Sequence, residues 1–202
     1  MTIAILDYGM GNLHSVARAI ATVGGDAAVT GDAGEVARAD ALVIPGVGAF
    51  GACMKGLTDT GLDAAARSFA ATGRPVVGVC VGMQVLYAMS EEDPVDGLSI
   101  LPGGSRRLPD DVKVPHMGWN TVSWVDSHPY VAGIDDEAWF YFVHSYAPDV
   151  VEGLTVGTVD YGRRFSAAVA RDNVFATQFH PEKSGEAGLQ LYENIVKTVT
   201  SQ

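Results

Sequence analysis

Cys80 stands in Gly78-Val79-Cys80-Val81-Gly82, a cysteine with a glycine two positions to either side. This is the thiol counterpart of Gly-x-Ser-x-Gly, in which a strained strand-to-helix turn lifts a nucleophile above a sheet. The glycines are needed because strand, turn and helix approach too closely there for side chains. A sulfur so placed lies at the N-terminus of the following helix, whose unpaired amides and partial positive charge favour a thiolate. The same residues would also suit a buried, inert cysteine beside two packing glycines, so other groups must decide. A cysteine that attacks an acyl carbon needs a base, a group to orient that base, and donors for the oxyanion. His180 ends the apolar-rich residues 175–179, and Pro181-Glu182 follow at once. In a near-extended segment residues two apart point the same way, so Glu182 can direct its carboxylate to the His180 ring. Pro45-Gly46-Val47-Gly48 closes another apolar run, and its glycines let the backbone turn amides outward, as an oxyanion requires.

The elements that must position these groups follow from periodicity. Residues 75–79 read as a buried parallel strand, and Met83, Leu86 and Tyr87 recur at helical spacing after it. Upstream, residues 2–6 read as a strand and residues 7–12 as a glycine-rich turn. Leu13, Val16, Ile20 and Val23 then mark a helix that Gly24-Gly25 stops. Gly9-Met10-Gly11 lacks the third glycine of a dinucleotide fingerprint, so it signals little beyond a turn. Residues 27–30 and 41–44 read as strands and residues 32–39 as a short helix. Helical pattern then runs through Leu57 and again through Leu62, Ala65, Ala66 and Phe69. This alternation predicts a doubly wound parallel sheet. Past Met89 the texture changes: residues 90–101 are acidic and turn-rich, and residues 102–105 read as a loop. Residues 121–125, 139–143, 155–159, 165–169 and 174–179 then read as largely antiparallel strands. Residues 171–173 form a hairpin turn between the last two, and residues 184–199 close the chain as a helix.

The whole chain of 202 residues, with 48% apolar content and 24 glycines, fits one α/β domain spanning 1–202. Its 13 Lys+Arg against 24 Asp+Glu leave a formal charge of −11, which argues against general affinity for nucleic acid or anionic lipid. The N-terminus lacks a basic segment, and no run reaches the ~20 apolar residues of a membrane span. A cytoplasmic protein is expected. In that reducing setting Cys53 and Cys80 are expected to be thiols rather than a pair, with Cys53 a small buried residue without a role.

Taken together, Gly78-Val79-Cys80-Val81-Gly82-Met83-Gln84, His180-Pro181-Glu182 and Pro45-Gly46-Val47-Gly48-Ala49-Phe50 resemble the class I, triad-type glutamine amidotransferases. Three further stretches are similar to the glutaminase subunits of imidazole glycerol phosphate synthases: residues 7–13, residues 115–120 (Pro-His-Met-Gly-Trp-Asn) and residues 141–146 (Tyr-Phe-Val-His-Ser-Tyr). The likeness runs from the first strand to the last helix.

It implies a flavodoxin-like class I amidotransferase fold, with a mostly parallel central sheet, helices on both faces and an antiparallel, β-rich second half. It also implies a glutaminase that needs no cofactor or metal and passes ammonia to a (β/α)8-barrel cyclase in a heterodimer of histidine biosynthesis. By the same resemblance Cys80 is the nucleophile, His180 the acid-base and Glu182 its orienting carboxylate, with Val47, Gly48 and Val81 serving the oxyanion. Gln84, Glu92, Ser145 and Tyr146 would hold the ends of glutamine, and Asn12, Trp119, Asn120, Tyr141 and Lys183 would face the partner. The alternatives are another triad glutaminase, such as that of pyridoxal phosphate synthesis, and a cysteine hydrolase on a similar sheet. A catalytically silent binding module is a third.

Overall fold

The computed structural model describes residues 1–201, so the last residue of the expected 1–202 domain lies outside the described residues. The first half alternates as expected: β1 (Ile3–Leu6), α1 (Leu13–Thr22), β2 (Ala27–Thr30), α2 (Ala33–Arg38), β3 (Ala41–Gly46), α3 (Phe50–Asp59), α4 (Leu62–Ala70) and β4 (Val76–Cys80). Strands β1, β3 and β4 are buried along their whole length, which is why they read as continuous apolar runs. There follow α5 (Val81–Gln84), β5 (Met89–Ser90), β6 (Asp93–Asp96), β7 (Gly104–Arg107), β8 (His116–Trp124), β9 (Ala138–His144) and β10 (Tyr146–Pro148). The chain ends with β11 (Thr155–Tyr161), β12 (Arg163–Arg171), β13 (Val174–Thr177) and α6 (Gly185–Thr200). Helix α1 packs with α6, and α2 and α3 pack with α4.

The described residues form a nine-stranded sheet, β2-β1-β3-β4-β13-β12-β11-β8-β9, and a four-stranded sheet, β10-β7-β5-β6. From β2 to β13 neighbours are parallel, and from β13 to β9 they are antiparallel. Three adjacent parallel strands therefore end at one edge. Gly46 is in register with Cys80, and Thr177 with Val79. The glycine loop, the cysteine and the histidine leave the sheet side by side, where open α/β sheets place their ligands.

Three local expectations are corrected. The helix after Cys80 spans only Val81–Gln84, because the carbonyls that would extend it are taken by another segment. Leu98 N donates to Val85 O at 2.7 Å, and Ile100 N and Leu101 N donate to Leu86 O at 2.9 and 2.8 Å. Residues 102–105 are not wholly loop, since β7 starts at Gly104 and pairs with β5 and β10. Strands β5, β6 and β10 escape periodicity because they are two to four residues long and rich in Ser, Asp and Pro. Finally, β8 begins at His116 rather than at residue 121, pairing with β9 from His116↔His144 to Val122↔Ala138.

The glycines beside Cys80 are required by packing. A Cβ on Gly82 would sit 1.8 Å from Ile44 O, and one on Gly46 would sit 2.4 Å from Gly82 N. Neither neighbour is a side chain that can swing away. Gly82→Ala is therefore expected to destabilise the protein by about 3 kcal/mol or more, measured by denaturant unfolding. A loss below about 1 kcal/mol would show that β3 and the elbow can separate at little cost.

Candidate active site

At the end of β4 the backbone of Cys80 takes φ 56°, ψ −114°, a left-handed conformation that costs a non-glycine residue about 1–3 kcal/mol. The side chain is thereby held over the edge of the sheet, beside the first turn of α5, whose opening amides have no intrahelical acceptor. Cys80 lines a cavity of about 370 Å³ with Val47, Gly48, Val81, Gln84, Glu92, Ser145, Tyr146, His180 and Lys183. Pro115, Val143 and His144 complete the wall. Residues as distant in sequence as Val47 and Lys183 thus converge on one sulfur.

His180 Nδ1 lies 2.8 Å from Glu182 Oε1, and both side chains are almost wholly buried. The route to this pairing differs from the extended one expected. Pro181–Lys183 is a 3-10 turn, and Pro181 is suited to open such a turn by its fixed φ and absent N–H. The carboxylate reaches the ring by folding back. The turn is clamped from two sides: Ser184 Oγ donates to His180 O at 2.6 Å, Tyr141 N donates to Ser184 Oγ at 3.0 Å, and His180 N donates to Tyr141 O at 2.9 Å.

His180 Nε2 has no hydrogen bond of ordinary geometry, which leaves it available to the sulfur and to substrate. Burial alone would lower the His180 pKa. Its interactions with the Cys80 sulfur and then with the Glu182 carboxylate overcome it and push the value up to about 10. The ring next to the sulfur is therefore an imidazolium at neutral pH, an acid ready for a leaving group.

The glycine loop is braced from behind. Tyr8 Oη donates to Pro45 O, and Cys53 Sγ donates to Val47 O at 3.4 Å. Gly48 takes φ +85°, open to glycine at little cost. Cys53, expected to have no role, is buried at 0% exposure yet hydrogen-bonded to the loop. Burial pushes its thiol up to about 11, against a lowering contact with Tyr8, so it keeps its proton. Both cysteines are free.

Glu92 lines the cavity, but Oε2 accepts from Phe50 N at 2.8 Å, and the adjacent Asp93 accepts from Gly51 N at 2.8 Å. The acidic run thus caps α3 while presenting one carboxylate to the site. Burial, with the charge of Asp93, raises the Glu92 pKa. Gln84 Nε2 donates to Tyr146 O at 2.9 Å and to Gln178 Oε1 at 3.0 Å. Of the residues expected to face a partner, Lys183 lines the cavity and stands 5.6 Å from the Tyr141 ring. Tyr141 meets Trp119 edge to face at 6.1 Å, and Trp119 is 51% exposed. Asn120 lies on the same ribbon, and Asn12 precedes α1, which packs against the Pro181–Lys183 turn. Of these five, only Lys183 lines the cavity.

Sequence reasoning missed Gln178, whose Nε2 lies 3.7 Å from Cys80 Sγ. Its position two residues before His180, in the run read from the sequence as a strand over residues 174–179, was a usable signal.

The family model for "Glutamine amidotransferase class-I" matches residues 4–199. Among curated relatives, "Imidazole glycerol phosphate synthase subunit HisH" of Methanothermobacter thermautotrophicus is 48% identical, covering 98% of each chain. The protein of the same name from Acinetobacter baylyi is 50% identical over 96% of this chain and 97% of its own. Among solved structures, a chain of PurLQS from Thermotoga maritima superposes with a TM-score of 0.76 at 16% identity, covering 98% of both. A structure described as a glutamine amidotransferase gives 0.76 at 18% identity over 97% of this chain and 98% of its own. The solved structures carry the fold alone.

Proposed function

The chain belongs to the class I glutamine amidotransferase family, and we propose that it is the glutaminase subunit of an imidazole glycerol phosphate synthase, supplying ammonia in histidine biosynthesis. The observation that carries the chemistry is the single cavity that gathers Cys80, His180, the Val47–Gly48 loop and the backbone at Ser145 and Tyr146.

In this reading the Cys80 thiolate attacks the side-chain carbonyl carbon of glutamine. The oxyanion that forms is received by the amides of Val81 and of the Val47–Gly48 segment, a donor of this kind being worth about 3–4 kcal/mol. The His180 imidazolium gives its proton to the departing nitrogen as the C–N bond breaks, leaving a thioester and free ammonia. Neutral His180 then takes a proton from water, the resulting attack releases glutamate, and the thiolate returns. Glu182, bound at Nδ1, keeps Nε2 as the nitrogen that exchanges protons. Gln84 and Glu92, with the backbone of Ser145 and Tyr146, are assigned to the α-amino and carboxylate ends of glutamine.

The partner is proposed to be a (β/α)8-barrel cyclase in a heterodimer, docked on the face that carries Asn12, Trp119, Asn120, Tyr141 and Lys183. Support comes from the exposed Trp119 and its contact with Tyr141, whose strand holds the His180 turn. No helix among the described residues is long and apolar enough to cross a membrane, and the proposed setting is the cytoplasm.

The test is glutamate release by the purified chain with and without the cyclase and a cyclase ligand. We expect turnover to rise at least about 100-fold in the complex, the scale of one oxyanion donor brought into line. Full-rate hydrolysis by the chain alone would remove the partner's role, and no hydrolysis in either setting would remove the glutaminase reading.

A further inference from the structure

The carbonyl oxygen of Tyr146 can only accept hydrogen bonds, and it takes one from Gln84 Nε2 at 2.9 Å and one from His144 Nδ1 at 3.0 Å. These two contacts fix the polarity of all that is joined to them. On the inner side Gln84 must present its amide nitrogen, so Gln178 meets it with Oε1 at 3.0 Å and turns its own Nε2 to Cys80 Sγ, 3.7 Å away. On the outer side His144 must carry its proton on Nδ1, so its bare Nε2 accepts from His116 Nδ1 at 3.1 Å. His116 is then bare at Nε2 and accepts from Asn120 Nδ2 at 3.4 Å. Asn120 is oriented in turn by Thr121 N, which donates to Oδ1 at 2.8 Å. His116, His144, Gln84 and Gln178 are all buried, and Tyr146, which joins them through its carbonyl, is half-buried; in such surroundings an unmade hydrogen bond is costly and a reversed amide or tautomer would leave one unmade. Burial also pushes His116 down to about 4 and, with His116 beside it, His144 down to about 3. Each ring therefore carries a single proton at neutral pH.

We propose that His116 and His144 are positioning residues and Gln178 the sulfur's amide donor, joined in one relay that aims a hydrogen bond at Cys80 according to the placement of the β8–β9 ribbon. The proposal deepens the glutaminase reading and rests on it for the meaning of Cys80. Nothing in the packing alone requires nitrogen at these places: His116 is stacked between Tyr161 at 4.0 Å and Phe142 at 4.9 Å, a slot that phenylalanine would fill.

The experiment uses the full chain and two variants. Imidazole ¹⁵N spectra are expected to show both His116 and His144 as neutral Nδ1–H tautomers, and an Nε2–H tautomer at either would overturn the relay. His116→Phe keeps the stack and removes both nitrogens. Asn120→Asp keeps the acceptor for Thr121 N and removes the donor to His116. Alkylation of Cys80 by iodoacetamide, followed at the Cys80 peptide, is expected to slow by about tenfold in His116→Phe and about threefold in Asn120→Asp, the scale of one hydrogen bond. Rates within about twofold of wild type in both variants would reduce the network to a structural one, and the Asn120 variant preserves the test if the core variant fails to fold. Glutamine turnover by the wild-type complex is measured alongside. Its absence, with tautomers and alkylation as expected, would sink the glutaminase reading and leave the relay standing.

Discussion

Replacing Cys80 with alanine is expected to abolish glutamine-dependent synthesis by the complex while synthesis from added ammonium salt continues. The thiol is the only group in the cavity placed to form the thioester, since it alone combines a nucleophilic atom with the strained turn at the end of β4. Removing a nucleophile that acts as a unit with its base costs on the order of 10⁶-fold in kcat. Alanine also fits: Cys80 is buried at 2% exposure, and its contacts through sulfur are long, 3.7 Å to Gln178 Nε2 and 3.8 Å to Val143 O. Partner binding and the cyclase site should survive, so ammonia supplied from solution bypasses the defect. Loss of both activities would identify Cys80 as a structural residue. Retention of both would move the nucleophile elsewhere.

For Glu182→Gln we expect a loss on the order of 10³-fold in glutamine turnover with KM little changed, because the substitution acts on the proton inventory of His180 and on no atom assigned to glutamine. A neutral amide in the same space can donate to Nδ1 as readily as accept from it, which permits the wrong tautomer and removes a charge that favours the imidazolium. Stability should follow with a definite sign. The folded-state pKa of His180 is raised to about 10. Its stabilising contribution is therefore full below the unfolded value of ~6.5 and is lost as pH rises through about 10. The Tm deficit of Glu182→Gln relative to wild type is thus expected to be largest near pH 6 and to close as pH approaches 10. A deficit that widened toward alkaline pH would show that Glu182 acts on something other than the charge of His180.

The bracing of the glycine loop bears on control. Tyr8 and Cys53 hold the carbonyls on either side of Gly46, so the loop proposed to supply oxyanion amides is tied to α3, whose first amides are in turn capped by Glu92 and Asp93. Glutamine bound at Glu92 would pull on the same helix end that anchors the loop. Across the cavity, β9 supplies Tyr141, whose side chain lies at the proposed docking face and whose carbonyl fixes His180 N. In the proposed reading, partner and substrate would therefore reach the reacting groups through backbone already hydrogen-bonded to them.

Residue type and short spacing were enough, by themselves, to mark out Cys80 between its glycines, the Pro45–Gly48 loop, His180 with Glu182, and the parallel strands that deliver them. Each of these is a local requirement: a turn too tight for a Cβ, a run buried on both faces, an acid two residues from a base. Only the tertiary structure decided what depends on contacts between segments remote in sequence. It shortened α5 because residues 98–101 claim the Val85 and Leu86 carbonyls that would extend it, and it folded Glu182 back through a 3-10 turn that Tyr141 and Ser184 hold. It gave Cys53 a carbonyl to bind and joined Asn120 to Cys80 through two histidines and two glutamines. A buried polar side chain declares its purpose only through its partner, and links such as His116–His144, 28 residues apart, and Gln178–Cys80, 98 apart, leave no periodic trace in the chain.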